Sequence, residues 1–175
     1  IFDAQAVSIT TYDQATRTAT PRYGIEKGQR FTDAPYLLRE ASVGAHLIRT
    51  RQLLLINDNV GERSAEFGGI SLVPGTQVPK SMLFVPLVTG NDVRGWISLQ
   101  NIDREHAFSE SDVRLLTTLA NSMSVALENA RLFEETNRLL AETQQRTAEL
   151  QVINSMQQAL ATQLDDSLGL MDYVG

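Results

Sequence analysis

Cysteine is absent from the 175 residues. That excludes disulfides, thiolate metal sites, thiol catalysis and a thioether-linked chromophore within them. It is compatible with the cytoplasm, which is the expected location. Lysine and arginine form no run, and the formal net charge is −6. A nucleic-acid-binding face wants clustered positive charge, so no nucleic-acid partner is expected. No stretch approaches the roughly 20 apolar residues of a membrane helix, so no membrane partner is expected either. No signal peptide opens the chain, and a start at Ile1-Phe-Asp3 without Met is expected of an excised segment. Histidine occurs twice, at His46 and His106, without a partner at metal-ligand spacing. Neither glycine nor proline occurs between Asp103 and Leu168, so nothing there interrupts a helix.

The length suits one domain plus extensions. Residues 6–12 are β-branched and alternate, which predicts a strand with Val7, Ile9 and Thr11 on one face and Ser8, Thr10 and Tyr12 on the other. Asp13-Gln-Ala15 reads as a turn and Thr16 to Ile25 as a second strand, with Pro21 marking an edge or a bulge. Apolar spacing through Leu37, Leu38, Ala41, Val43, Ala45, Leu47 and Ile48 predicts a helix over Tyr36 to Thr50. Leu53 to Ile56 is a short buried strand, ended by Asn57-Asp58. Residues 59–77 read as loop, with Gly61, Gly68, Gly69, Pro74 and Gly75. Ser81 to Val88 and Val93 to Ile102 are strands joined by the turn residues Thr89-Gly-Asn-Asp92. Phe108-Ser-Glu-Ser-Asp-Val113 then opens a helix. Ser109 can cap the amide three residues on, Asp112 can reach back, and Phe108 can pack on Val113.

That helix is expected to run far. Leu116, Leu119, Met123, Ala126, Ala130, Phe133, Asn137 and Leu140 follow three- and four-residue steps, as in a packing or coiled-coil seam. The seam turns polar from Ala141 to Glu149, and apolar spacing resumes at Leu150, Ile153, Met156, Leu160 and Leu164. The charge run Arg131–Arg138 reads as a solvated helix face. The element order implies an antiparallel sheet carrying helices, an α+β fold.

Four pieces in this order and spacing resemble a GAF domain: Leu54-Leu-Ile-Asn-Asp58, Lys80-Ser-Met-Leu-Phe-Val-Pro-Leu87, Arg94-Gly-Trp-Ile-Ser-Leu99, and Phe108-Ser-Glu-Ser-Asp112 with Leu115, Leu116, Leu119 and Ala120. The resemblance implies an antiparallel sheet with helices on both faces (GAF/PAS-like), followed by a long C-terminal helix. It implies a GAF domain lacking its first helix over 1–130, a helical linker over 131–149, and over 150–175 the start of a following GAF unit or a swapped helix. The parent protein would carry tandem units. The implied role is a sensory or regulatory domain, upstream of histidine kinases, nucleotide cyclases or diguanylate cyclases.

Strand alternation places Leu83, Val85, Leu87, Ile97 and Leu99 on one face, against the terminal helix. Met82, Phe84, Pro86, Trp96, Ser98 and Gln100 share the other, under the middle helix and the Gly-rich loop. The candidate ligand-binding residues are Phe84, Trp96, Ser98, Gln100, Met82 and Phe67. The alternative is that Met82, Phe84 and Trp96 are plain core, with Ser98 and Gln100 bonding the covering loop. His46 either faces the pocket or takes a surface or capping role, and haem is not expected; His106 is expected in solvent. Family ligand classes narrow further. A covalent bilin needs a cysteine, as do the family's free-methionine-sulfoxide reductases. Phe67 is followed by Gly68-Gly69 rather than the acidic pair of cyclic-nucleotide-binding members.

The expected function is therefore a non-catalytic module that binds an unknown small molecule or relays signals through a dimeric helix. A purely structural dimerisation module is the alternative. An enzyme would have to use Glu62 and Glu66, without a nucleophile and base pair. A homodimer is expected through Leu119, Met123, Ala126, Ala130, Phe133, Leu140, Ile153 and Leu160. Residues 150–168 are expected to be exchanged onto the partner's sheet in place of the missing helix.

Overall fold

The computed structural model describes residues 2–69 and 76–171, with side chains described as far as Leu160. Pro74, Gly75, the Leu164 side chain and residues 172–175 lie outside the described residues. The chain divides into two compact units, Ile1–Glu128 and Asn129–Gly175.

The first unit is built on an antiparallel sheet. Its strands are β1 (Ala6–Asp13), β2 (Thr18–Glu26), β3 (Gln29–Arg30), β4 (Tyr36–Leu37), β5 (Leu54–Ile56), β6 (Ser81–Thr89) and β7 (Asp92–Asn101). The order is β3-β2-β1-β7-β6-β5, with β4 pairing β2. Two helices, α1 (Val43–Thr50) and α2 (Val60–Arg63), and a 3-10 turn at Ser64–Phe67 lie between β4 and β6. The third helix, α3 (Glu110–Met171), starts in this unit.

Local chemistry explains the junctions. The β6–β7 hairpin closes on Gly90-Asn91, with Thr89 opposite Asp92. Gly90 has φ 59°, which glycine adopts without a Cβ penalty. Between β1 and β2 the register slips, Ile9 facing Tyr23 but Thr10 facing Pro21. The slip leaves Arg22 unopposed, so the bulge sits beside the residue that has no N–H for the ladder. Ser109 caps α3: its Oγ accepts from the Asp112 amide at 3.3 Å, while the Ser109 amide donates to Asp112 Oδ2 at 2.8 Å. The Ser109 hydroxyl, which donates to Asp112 Oδ2 at 2.7 Å, and then the Ser109 amide hold the Asp112 carboxyl below its ordinary range.

The sheet separates two cores. Leu83, Val85, Leu87, Ile97 and Leu99 pack with Phe108, Leu116 and Ala120, and Val113 joins them at the edge. Met82, Phe84 and Trp96 turn the other way, onto Leu47, Ile56 and Val60. Period-2 alternation along β6 and β7 produces this division, and helices lie on both faces of the sheet.

Three expectations are corrected. The helix expected from Tyr36 begins only at Val43. Ser42 is extended (φ −156°, ψ 157°) and its Oγ accepts from the Ala45 amide at 3.2 Å, so the cap sets the start. Tyr36 and Leu37 instead pair with Ala19 and Thr18. The segment read as loop carries α2 and the 3-10 turn. Met123, assigned to the dimer seam, packs against the sheet's own core. Leu116, Ala120, Met123 and Leu127 form one face of α3, whereas Leu119 and Ala126, one step around the helix, are exposed.

The second unit is the continuation of α3. Leu132, Phe133, Leu139, Leu140, Leu150, Ile153, Met156 and Leu160 are all exposed. Arg138 bridges Glu135 and Glu142 along the same helix, at 2.7 and 3.3 Å. Among the described residues no helix is long and apolar enough to cross a membrane.

Candidate functional site

A cavity of about 610 Å³ lies on the face of the sheet opposite α3. Its floor is a grid set by strand register. Gln100 stands between Ala6 and Met82, Ser98 between Ser8 and Phe84, and Trp96 between Thr10 and Pro86. Ser8, Thr10, Ser98 and Gln100 make a polar strip along β1 and β7. Met82 and Phe84 on β6, with Trp96, make an apolar one.

Five of the six candidate ligand residues line this cavity: Met82, Phe84, Trp96, Ser98 and Gln100. Phe67 does not. It packs against the Leu47–Trp96 core and meets His46 edge to face, with ring centroids 4.8 Å apart. His46 is thereby occupied by an aromatic contact. The His106 side chain is 70% exposed, 3.9 Å from Asp58. Among the described residues no group of three or more His, Asp or Glu gathers as metal ligands.

The middle helix was expected over this face, but the extended strap that precedes it was not. Residues 30–39, with Ser42, Val43 and Gly44, form a strap along one side of the cavity. The only signal in sequence was Pro35 and the exposed polarity around it. Gly44 has to be small: a Cβ there would lie 2.7 Å from Trp96 Cη2 and 2.8 Å from Leu38 Cδ1. Glycine lets α1 press directly on the indole. Ser8 and Thr10 were also missed as lining residues, because the pairing of β1 with β7 is not written in either strand.

Polar groups on the floor are uncharged. Ser8 Oγ and Ser98 Oγ lie 2.7 Å apart in a hydrogen bond, and Ser98 is 1% exposed. The Gln100 carboxamide makes no hydrogen bond within the described residues. Charged groups sit at the rim, where Arg22, Arg30 and Arg39 are exposed. Arg22 donates to Thr11 at 2.9 Å, Arg30 lies 4.8 Å over the Tyr23 ring, and Glu26 accepts from the Gln77 amide. Burial, with Asp33 beside it, raises the Tyr36 phenol above its ordinary value against the opposing pull of Arg39. Tyr36 therefore keeps its proton at neutral pH.

The site can enclose a small molecule with one polar and one apolar side. Its described lining holds no histidine. Its carboxylates, Glu26 and Asp33, accept from the backbone amides of Gln77 and Ala34 rather than from a hydroxyl. Among the described lining residues no carboxylate is hydrogen-bonded to a hydroxyl, the arrangement that would activate a nucleophile.

Comparison with known proteins agrees with this architecture. The family model of the GAF domain matches residues 1–128. Residues 122 to 287 of a methyl-accepting chemotaxis protein superpose with a TM-score of 0.63 at 19% identity, covering 74% of this chain and 81% of that one. The GAF domain of a two-component sensor histidine kinase from Bacillus halodurans gives 0.57 at 19% identity, over 75% and 86%. A type II free methionine-R-sulfoxide reductase from Thermoplasma acidophilum gives 0.54 at 14%, over 70% and 77%. At these identities the likeness concerns the fold. No curated protein sequence matches the chain significantly. With the family model covering most of its length, the chain belongs to the GAF domain family and resembles the sensory domains of signalling proteins.

Proposed function

We propose that this chain is a non-catalytic sensory module: it binds a small molecule in the cavity under the strap and relays occupancy through α3 in a homodimer. One observation carries the reading. The cavity and α3 lie on opposite faces of the same two strands, so successive residues of β6 (Met82 and Phe84 to the cavity, Leu83 and Val85 to the helix) couple the two. A ligand that shifts β6 or β7 must disturb the seat of α3, because packed cores transmit strain.

The absence of cysteine removes the thiol route to catalysis. The dimer reading is supported by the exposed stripe of Leu119, Ala126, Ala130, Phe133 and Leu140, continued by Ile153 and Leu160. Exchange of residues 150–168 onto a partner's sheet is supported by the half-buried Phe2, Val7 and Ile9, which leave the α3 side of β1 incompletely covered. A cytoplasmic location fits the same reading.

The test is a fragment screen by NMR on the full chain, read at the indole N–H of Trp96, its one tryptophan. Saturable shifts of that resonance, accompanied by altered hydrogen exchange over residues 110–120, are expected. A screen in which no fragment moves the Trp96 signal would leave a structural dimerisation module. Shifts at Trp96 without any change in α3 would remove the relay.

A further inference from the structure

We propose that the cavity selects an uncharged, planar ligand carrying a hydrogen-bond donor and acceptor side by side on one edge, as in a lactam or a primary carboxamide on an aromatic ring. The proposal rests on the reading of the cavity as a ligand site and names the chemistry of its occupant.

The floor sets the charge. Its four polar side chains, Ser8, Thr10, Ser98 and Gln100, are neutral. No cationic side chain stands among them, and the three arginines of the lining, Arg22, Arg30 and Arg39, are exposed at the rim. A carboxylate or phosphate driven onto this floor would lose its hydration without gaining a counter-ion, a cost far above that of a neutral amide. An anionic group on the ligand is tolerated only at the solvent-facing rim.

Gln100 sets the edge. Its carboxamide has two donors and an acceptor, and none of them has a protein partner among the described residues. The complement that satisfies both kinds of group at once is another amide edge. Ser98 lies two residues along β7 on the same face, and its hydrogen bond with Ser8 can run in either direction. Ser8, the half-buried member of the pair, can thus donate to, or accept from, a second polar atom of the ligand.

The walls set the shape. Phe84 pairs with Ser98, and Met82 with Gln100, so each polar floor position on β7 has an apolar neighbour on β6. Trp96 is held in place by the contact of its indole with Gly44 on α1. A flat ring slides between these surfaces with its polar edge toward β7. The volume of about 610 Å³ lies within the usual range for small-molecule sites.

Near-isosteric probes test this on the full chain. Benzamide, benzoate and toluene are titrated against Trp96 fluorescence excited at 295 nm, in wild type and in Gln100→Leu. The expected result is saturable binding of benzamide with a half-saturation at least 10-fold below that of benzoate. In Gln100→Leu that preference for benzamide is lost while the toluene response remains. Should the variant fail to fold, the wild-type ratio alone decides. Benzoate binding as tightly as benzamide, with toluene also bound, overturns the neutral-ligand proposal and leaves the cavity as a ligand site. Absence of any response to all three probes in folded wild type overturns both.

Discussion

The carboxamide of Asn57 holds both backbone polar groups of Phe108: Nδ2 donates to the Phe108 carbonyl at 2.8 Å, and the Phe108 amide donates to Oδ1 at 3.2 Å. Asn57 follows Ile56, the last residue of β5, which is buried in the cavity-side core. Phe108 is buried in the opposite core and immediately precedes the cap of α3. One side chain therefore ties the sheet's edge to the start of the long helix. Ser81 reinforces the tie, its hydroxyl lying 3.2 Å from the Asn57 carbonyl and 3.3 Å from the Ala107 amide.

Asn57→Ala should destabilise the first unit by about 2–3 kcal/mol, since it removes two hydrogen bonds and strands buried backbone groups. Ser81→Ala should cost less. Because both side chains hold residues 104–108, the double variant should fall short of the sum. Urea denaturation of the four proteins measures this. Strict additivity would show that the two side chains do not act on one segment.

Gly44 offers a case where two effects compete. Replacing a helical glycine by alanine ordinarily gains up to about 1 kcal/mol. Here the added methyl meets Trp96 and Leu38 at distances shorter than van der Waals contact. Overpacking costs roughly 1–3 kcal/mol, so Gly44→Ala should be net destabilising and should shift Trp96 emission. A stabilised Gly44→Ala with unchanged emission would mean that α1 does not press on the indole.

The cap of α3 should be pH-dependent. Asp112 is held below its ordinary carboxyl value of 3.8 by the Ser109 hydroxyl and amide. A carboxyl depressed in the folded state stabilises above its unfolded value and loses that contribution as pH falls through the folded one. Stability attributable to Asp112 should thus be complete above about pH 5 and decline below about pH 4. Asp112→Asn should flatten that part of the profile. Ser109→Ala should cost about 1 kcal/mol at neutral pH by loss of the cap.

Much of this architecture was legible because short-range chemistry dictated it. Alternation along Ser81–Leu87 and Gly95–Gln100 divided the two cores, Gly90-Asn91 marked the hairpin, and Phe108-Ser-Glu-Ser-Asp112 marked the start of α3. The failures came from relationships that no local pattern carries. Asn57 after a strand reads as a terminator, and its partner is 51 residues away. Leu37, Leu38 and Ala41 imitate helical spacing, but Tyr36 and Leu37 find a strand to pair with and Ser42 caps the helix later. Phe67 is aromatic and near the cavity, yet His46 and the core occupy it. Met123 fits a seam by spacing, but the 3.6-residue turn carries it onto the sheet beside Leu116 and Ala120.

The second unit supplies the sharpest test of the dimer. From Asn129 to Met171, α3 extends roughly 65 Å at 1.5 Å per residue. Neither a sheet nor another helix belongs to this unit among the described residues. Helices of this kind owe most of their stability to packing of an apolar face. Such a face exists: Leu132, Leu139, Ile153 and Leu160 recur at multiples of seven, interrupted by Arg146, and Phe133 and Leu140 lie beside them. A seven-residue repeat matches a left-handed two-helix seam. Phe133, at 68% exposure, presents the largest of these side chains. Phe133→Glu places a charge in the seam and should weaken dimerisation by about 2 kcal/mol, roughly 30-fold in Kd. Sedimentation equilibrium reads this directly. Wild type should be dimeric at micromolar concentration, and a wild-type monomer there would sink the proposal. A chain ending at Glu149 separates the two modes of association. If residues 150–168 cover a partner's sheet, it should lose solubility as well as affinity, since Val7 and Ile9 are left open. Unchanged solubility and dimerisation would confine the interface to the seam before residue 150.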